Sequence, residues 1–226
     1  MVLYENKTEE KRKGNKKVSE RETEEIRKNT IRQILEREWE FFQETKHTEG
    51  RAECQDNYGE FIIMRESQWV ILPLEVLRSY LDDLIIARHG NCNPIVEKYA
   101  RMMEYSAPEE FEKIKEFLPE VSQEKRKAAE KILKVYMKWE QEVMEKYPNL
   151  AKKGRPLYSE GDTPDFTSIE TYLRGELLSY SLKTLKRYLI YIDECTERKV
   201  NLAERNLEEI VARKGYRSLE EVEYML

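Results

Sequence analysis

Apolar residues recur along this chain at spacings of three and four, the pattern of helices with one buried face. From Ser19 to about Thr45 the stripe is Ile31, Ile34, Leu35, Phe41 and Phe42, and Ser19 with Glu22 reads as a capping box at its start. Phe61, Ile62, Trp69 and Leu72 predict a second helix from about Tyr58 to Leu72. Pro73 predicts a break and a new helix, with Leu74, Leu77, Leu81, Leu84 and Ile85 inward, Asp82 outward and Gly90 as the stop. Asn93–Pro94, a cap followed by proline at the first helical position, opens a helix to Tyr105. Pro108 starts a short one that ends at Pro119, and Ser122 a long one to about Tyr147. Asn201 with Glu204 and Ser218 with Glu221 mark the last two. No internal repeat, heptad run or convincing strand interrupts the pattern.

The best-marked junction is Arg155–Ser181. Pro156, Gly161 and Pro164 break regular structure, and Thr167 with Glu170 reads as a capping box. Ile169, Leu173, Leu177, Tyr180, Thr184 and Tyr191 follow at helical spacing, and after Gly175 no glycine or proline appears before Gly215. One helix to Cys195 would be about 40 Å long, suited to a central post. The expected fold is therefore all-α: a single-domain helical bundle of about eight helices around a long central helix near 167–195. Residues 1–18 would form a charged, mobile tail and 19–226 the domain.

Some charges fall where apolar residues belong. Glu38 lies mid-stripe on the first helix, Arg65 at the centre of the second with Gln68 a turn away, and Glu176 beside Ile169, Leu173 and Tyr180. Arginine cannot shed its proton to escape burial, so an inward Arg65 demands an anionic or multiply accepting partner. Glu140 borders the stripe of the Ser122 helix as a weaker third carboxylate. Gly175, mid-helix, marks either close helix packing or close approach by a ligand, and packing is the commoner cause.

Composition narrows the function classes. Charged residues make up 38% of the 226, and glycine and proline together number only 15, which suits a helical protein. The net charge is −5, and the basic residues of the first 18 positions leave −8 for the rest. A chain without a broad basic face is a poor match for nucleic acid. Three scattered cysteines and no apolar leader or spanning run imply reduced thiols in the cytoplasm and no membrane partner.

His47 and His89 lack the Glu-x-x-His spacing of a dimetal bundle, and there is no zinc pattern, phosphate-cradling glycine loop or nucleophile elbow. An all-carboxylate Mg²⁺ site from Glu38, Glu140 and Glu176 is the one remaining metal arrangement, and the expectation is no metal and no cofactor. What remains is a polar set that could line a pocket for a small anionic molecule, a carboxylate or a phosphate. Arg51, Arg65, Gln68, Arg155 and Asp165 would bind it, and Glu176, Tyr172 and Tyr180 could add metal-independent acid–base chemistry. Burial would raise the pKa of Glu176 and a nearby arginine would lower it. The alternative is a non-enzymatic protein–protein interaction module, acting on a partner or a second copy. In that reading Arg65 pairs with Glu38 or Glu176 as a structural salt bridge.

Four stretches carry a resemblance: RAECQDNYGEFIIMRESQ from Arg51, SYLDDLIIAR from Ser79, KYARMMEYSAPEEF from Lys98 and GRPLYSEGDTPDFTSIETYLRGELLSYS from Gly154. They resemble a bacterial family of unknown function, over about Thr30 to Tyr224, whose members are sometimes found beside nucleotidyltransferase-like domains. The resemblance implies a bacterial cytoplasmic domain and carries over no catalytic residues.

Overall fold

A computed structural model describes residues 20–46, 50–163 and 166–226. The basic segment 1–18, the Ser19 cap, His47 and Asp165 lie outside the described residues. Among those described, the chain is all-helical, with eleven α-helices and no strand. They are α1 (Glu20–Glu44), α2 (Tyr58–Val70), α3 (Leu74–His89), α4 (Pro94–Ser106), α5 (Pro108–Ile114) and α6 (Gln123–Lys146). After these come α7 (Pro148–Ala151), α8 (Ile169–Ser179), α9 (Leu182–Glu197), α10 (Leu202–Arg213) and α11 (Leu219–Met225).

Side-chain caps set most of these starts. Asn57, Asn93, Ser122, Asn201 and Ser218 each accept a first-turn backbone N–H, worth about 1 kcal/mol apiece. Polar residues of the loop between α1 and α2 close the other end of α1: buried Gln55 donates to the carbonyls of Phe42 and Thr45 at 2.7 and 3.0 Å.

Two expectations at the centre of the chain are corrected. The cap of α8 is Ser168, whose hydroxyl accepts from Thr171 N at 3.1 Å, and not Thr167. Glu170 instead accepts from Ser159 N and Arg174. The single helix expected from Thr167 to Cys195 is two helices. Tyr180 turns extended (ψ 155°), and Ser181 caps a new helix by accepting from Thr184 N. Asp83 of α3 holds the break open, accepting from Ser181 N at 3.0 Å and from the Thr184 hydroxyl at 2.6 Å.

The core runs through the bundle from Ile34 and Phe41 on α1 to Leu77 and Leu84 on α3, Ile132 on α6, Leu177 on α8, Leu185 and Ile192 on α9 and Leu202 on α10. Each such side chain contributes roughly 1.5–3 kcal/mol by leaving water. Against it α8 lies very close to α4. A Cβ on Gly175 would stand 2.8 Å from the Lys98 carbonyl oxygen and 2.8 Å from Met102 Cγ. Glycine at 175 thus serves helix packing, and it sets Glu176 directly beside Lys98.

Candidate functional site: a buried charge network

Helical spacing turns the charges inward, and the docking of the helices brings them together. Glu38 sits one turn from Ile34 and Phe41 on α1, and Arg65 one turn from Trp69 on α2, so both point into the core, where they meet. Arg65 Nε lies 3.0 Å from Glu38 Oε2, and Nη2 lies 2.5 Å from Oε1, a two-pronged pair. The same carboxylate accepts from Trp69 Nε1 at 3.0 Å and from the Tyr80 hydroxyl at 2.8 Å.

The third guanidinium nitrogen turns to α8. Arg65 Nη1 lies 3.0 and 3.2 Å from the two oxygens of Glu176 and 2.7 Å from Gln68 Oε1. Glu176 accepts further from Gln68 Nε2 at 2.7 Å, Lys98 Nζ at 2.5 Å and the Tyr180 hydroxyl at 2.8 Å. Two carboxylates thus face two cations from four helices, all four side chains buried. Trp69, Tyr80 and Tyr180 pack around them, with Trp69 stacked on Tyr80 at 4.5 Å between centroids and Tyr80 4.8 Å from Tyr180.

Electrostatics follow from this geometry. Burial pushes the Glu176 carboxyl up, but the charges of Arg65 and Lys98 outweigh it and hold the group well below the usual carboxylate range. Burial pulls Arg65 down, yet Glu176 and Glu38 keep its pKa raised. Burial, with the nearby carboxylates, raises Tyr80 and Tyr180, so both remain hydrogen-bond donors.

Among the residues expected to form a pocket, Arg65, Gln68, Glu176 and Tyr180 join directly. Tyr172 comes in through Lys98, whose Nζ stands 3.4 Å from its ring centroid, and Arg155 stacks over Tyr172 at 5.0 Å. Arg155 also donates to the Thr167 carbonyl at 2.7 Å. Arg51 stands apart, tying its own loop together through Asp56, Gln43 and the Gln55 carbonyl. Lys98 was missed, although Ile95, Lys98 and Met102 follow the stripe rule that exposes Arg65. The start of α8 offers no vacant amides: Ile169 N and Glu170 N donate to the carbonyls of Pro156 and Leu157. No group of three or more His, Cys, Asp or Glu side chains placed to hold a metal occurs among the described residues. No described helix is long and apolar enough to cross a membrane.

Fold and site together define an all-α bundle protein with an internal salt-bridge and aromatic network. Residues 28–224 match the family described as "Protein of unknown function (DUF4125)", and the chain belongs to that family. Comparison with curated proteins and with solved structures gives no match.

Proposed function

We propose that this protein is a non-enzymatic interaction module of the bacterial cytoplasm, and that its inward charges fix the helices rather than hold a substrate. The observation that carries this reading is the saturation of Arg65. Its three nitrogens are engaged by Glu38, Gln68 and Glu176, and both carboxylates accept from several donors. A clamp for a guest needs donors to spare. A general acid or base near neutrality needs a raised pKa on Glu176, and the direction is opposite. On this reading Glu38, Arg65, Gln68, Lys98, Glu176 and Tyr180 set the relative placement of α1, α2, α4 and α8. Such pairs serve specificity more than net stability.

The contact points in this proposal are exposed apolar side chains on several elements. Ile86, Phe117, Ile190 and Tyr224 are 68, 79, 61 and 93% exposed. The nucleotidyltransferase-like neighbours implied by the resemblance are the first partner class to try. Photo-crosslinkers placed at Phe117 and Tyr224 in cells should give discrete protein adducts, of a partner or of a second copy. An absence of adducts at both positions overturns the module reading. A thermal shift by a phosphorylated or carboxylated metabolite that Arg65→Met abolishes, while Arg65→Met still unfolds cooperatively, would restore the pocket reading.

A further inference from the structure

A cleft of about 700 Å³ opens where the α2–α3 elbow meets the turn between α9 and α10, and it shares no residue with the charge network. Val70–Pro73, Tyr191 and Cys195 line it, with Arg27, Arg198, Lys199 and Arg205 set against Glu204 and Glu209. Its size falls in the range of small-molecule sites.

The groups there that would repel an anion are already occupied. Arg27 donates to the carbonyls of Val70 and Leu72, and the Tyr191 hydroxyl donates to the Ile71 carbonyl at 2.9 Å. Glu204 is held by Lys146 and Tyr147, and Glu209 lies 3.7 Å from Arg213. On the positive side Arg205 leans on Glu208 at 3.6 Å, while Arg198 and Lys199 have no ion-pair partner among the described residues. A chain of net charge −5 therefore presents a concave surface whose unmatched charges are positive.

Lys199 is also in an unusual place. Helix α9 ends with Val200 N donating to the Cys195 carbonyl at 2.8 Å and Lys199 N to that of Thr196 at 3.1 Å, which puts Lys199 at φ 56°. The same arrangement ends α3 with Asn91 at φ 53° and α10 with Gly215 at φ 90°. Asparagine and glycine are the ordinary residues for that left-handed position, and lysine is not. The favourable effect of a cation on the helix end is already available from Arg198, the preceding cap residue. The disfavoured lysine and Arg198 beside it both line the cleft.

We propose that this cleft binds a small polyanion, a phosphate- or pyrophosphate-bearing molecule, through Arg198, Lys199 and Arg205. The proposal is independent of the interaction reading. The intact chain is titrated with inorganic pyrophosphate by isothermal calorimetry at about 50 and 200 mM NaCl, which span the range where screening grows. Saturable binding that weakens with salt is expected, with Kd raised roughly tenfold or more in Arg198→Gln/Lys199→Gly. Glycine suits the left-handed backbone at 199, so this variant keeps or raises the melting temperature, which separates lost binding from lost fold. Lys127→Gln/Lys131→Gln, exposed on α6 and outside the cleft, changes the net charge equally and leaves Kd unchanged. Absence of saturable binding by the wild type, or equal weakening in both double variants, overturns the proposal.

Discussion

Glu176 collects donors from Arg65, Gln68, Lys98 and Tyr180, and every one of those bonds requires its ionised form or is strengthened by it. Its pKa is lowered in the folded state from the usual 4.5, so unfolding takes up a proton as pH falls below that value. The stabilisation is complete at neutral pH and is lost on acidification through the native pKa. Glu176→Gln should therefore flatten the acid limb of a plot of unfolding free energy against pH below about 4.5. Glu140 has the opposite sign. Burial raises its pKa to about 7, so its stabilising contribution is present at low pH and fades as pH rises through 7. Glu140→Gln should raise the melting temperature at pH 8 and have little effect at pH 5, as differential scanning would read. A third prediction concerns the pair itself. Arg65→Met alone should destabilise by roughly 3–5 kcal/mol in urea unfolding, because it strands buried carboxylates. Replacing Glu38, Arg65, Lys98 and Glu176 together by apolar residues of similar volume should recover only part of the loss, because Gln68, Trp69, Tyr80 and Tyr180 then lack their acceptors.

These residues differ in how legible they were. Glu38, Arg65 and Glu176 betray themselves because a charge on an apolar stripe has nowhere to go but inward. Lys98 obeys the same rule, on the stripe of Ile95 and Met102. That Arg65 pairs with Glu38 or Glu176 was legible; that it takes both at once, with Lys98 on the second, was not. That depends on distances between helices, and the pattern along a helix fixes only its direction of burial.

Among the elements, α4 and α8 approach each other closely at Gly175. Alanine at 175 improves helix propensity by about 1 kcal/mol, but its Cβ meets a backbone oxygen that cannot swing aside. Gly175→Ala should cost roughly 1–3 kcal/mol net in equilibrium unfolding, despite the better helix former. The break between α8 and α9 is the main element the pattern hid. Apolar spacing continues through Leu177, Tyr180 and Thr184, and no glycine or proline interrupts it. What stops the helix is part local, the Ser181 cap on Thr184 N, and part remote: Asp83 on α3 takes the amide of Ser181 and the hydroxyl of Thr184. The bend frees Tyr180 to turn its hydroxyl back onto Glu176. Asp83→Ala should lower stability by about 1–3 kcal/mol through the unsatisfied Ser181 amide. It should also speed exchange of the amides at 181–184, readable by hydrogen–deuterium exchange.

At the scale of the molecule, the all-α class and most helix starts were legible because caps and stripes are local signals. The docking of α1, α2, α3, α4 and α8 onto one charge cluster was not, because it joins Glu38 to residues as distant as Tyr180. Both cations and one carboxylate of that cluster precede residue 100, and the second carboxylate arrives only on α8. A chain still emerging from the ribosome therefore carries surplus positive charge inside its first four helices until α8 docks. Expressed alone, residues 20–163 should not hold the native arrangement of α1 to α4, and addition of the remainder in trans should recover it.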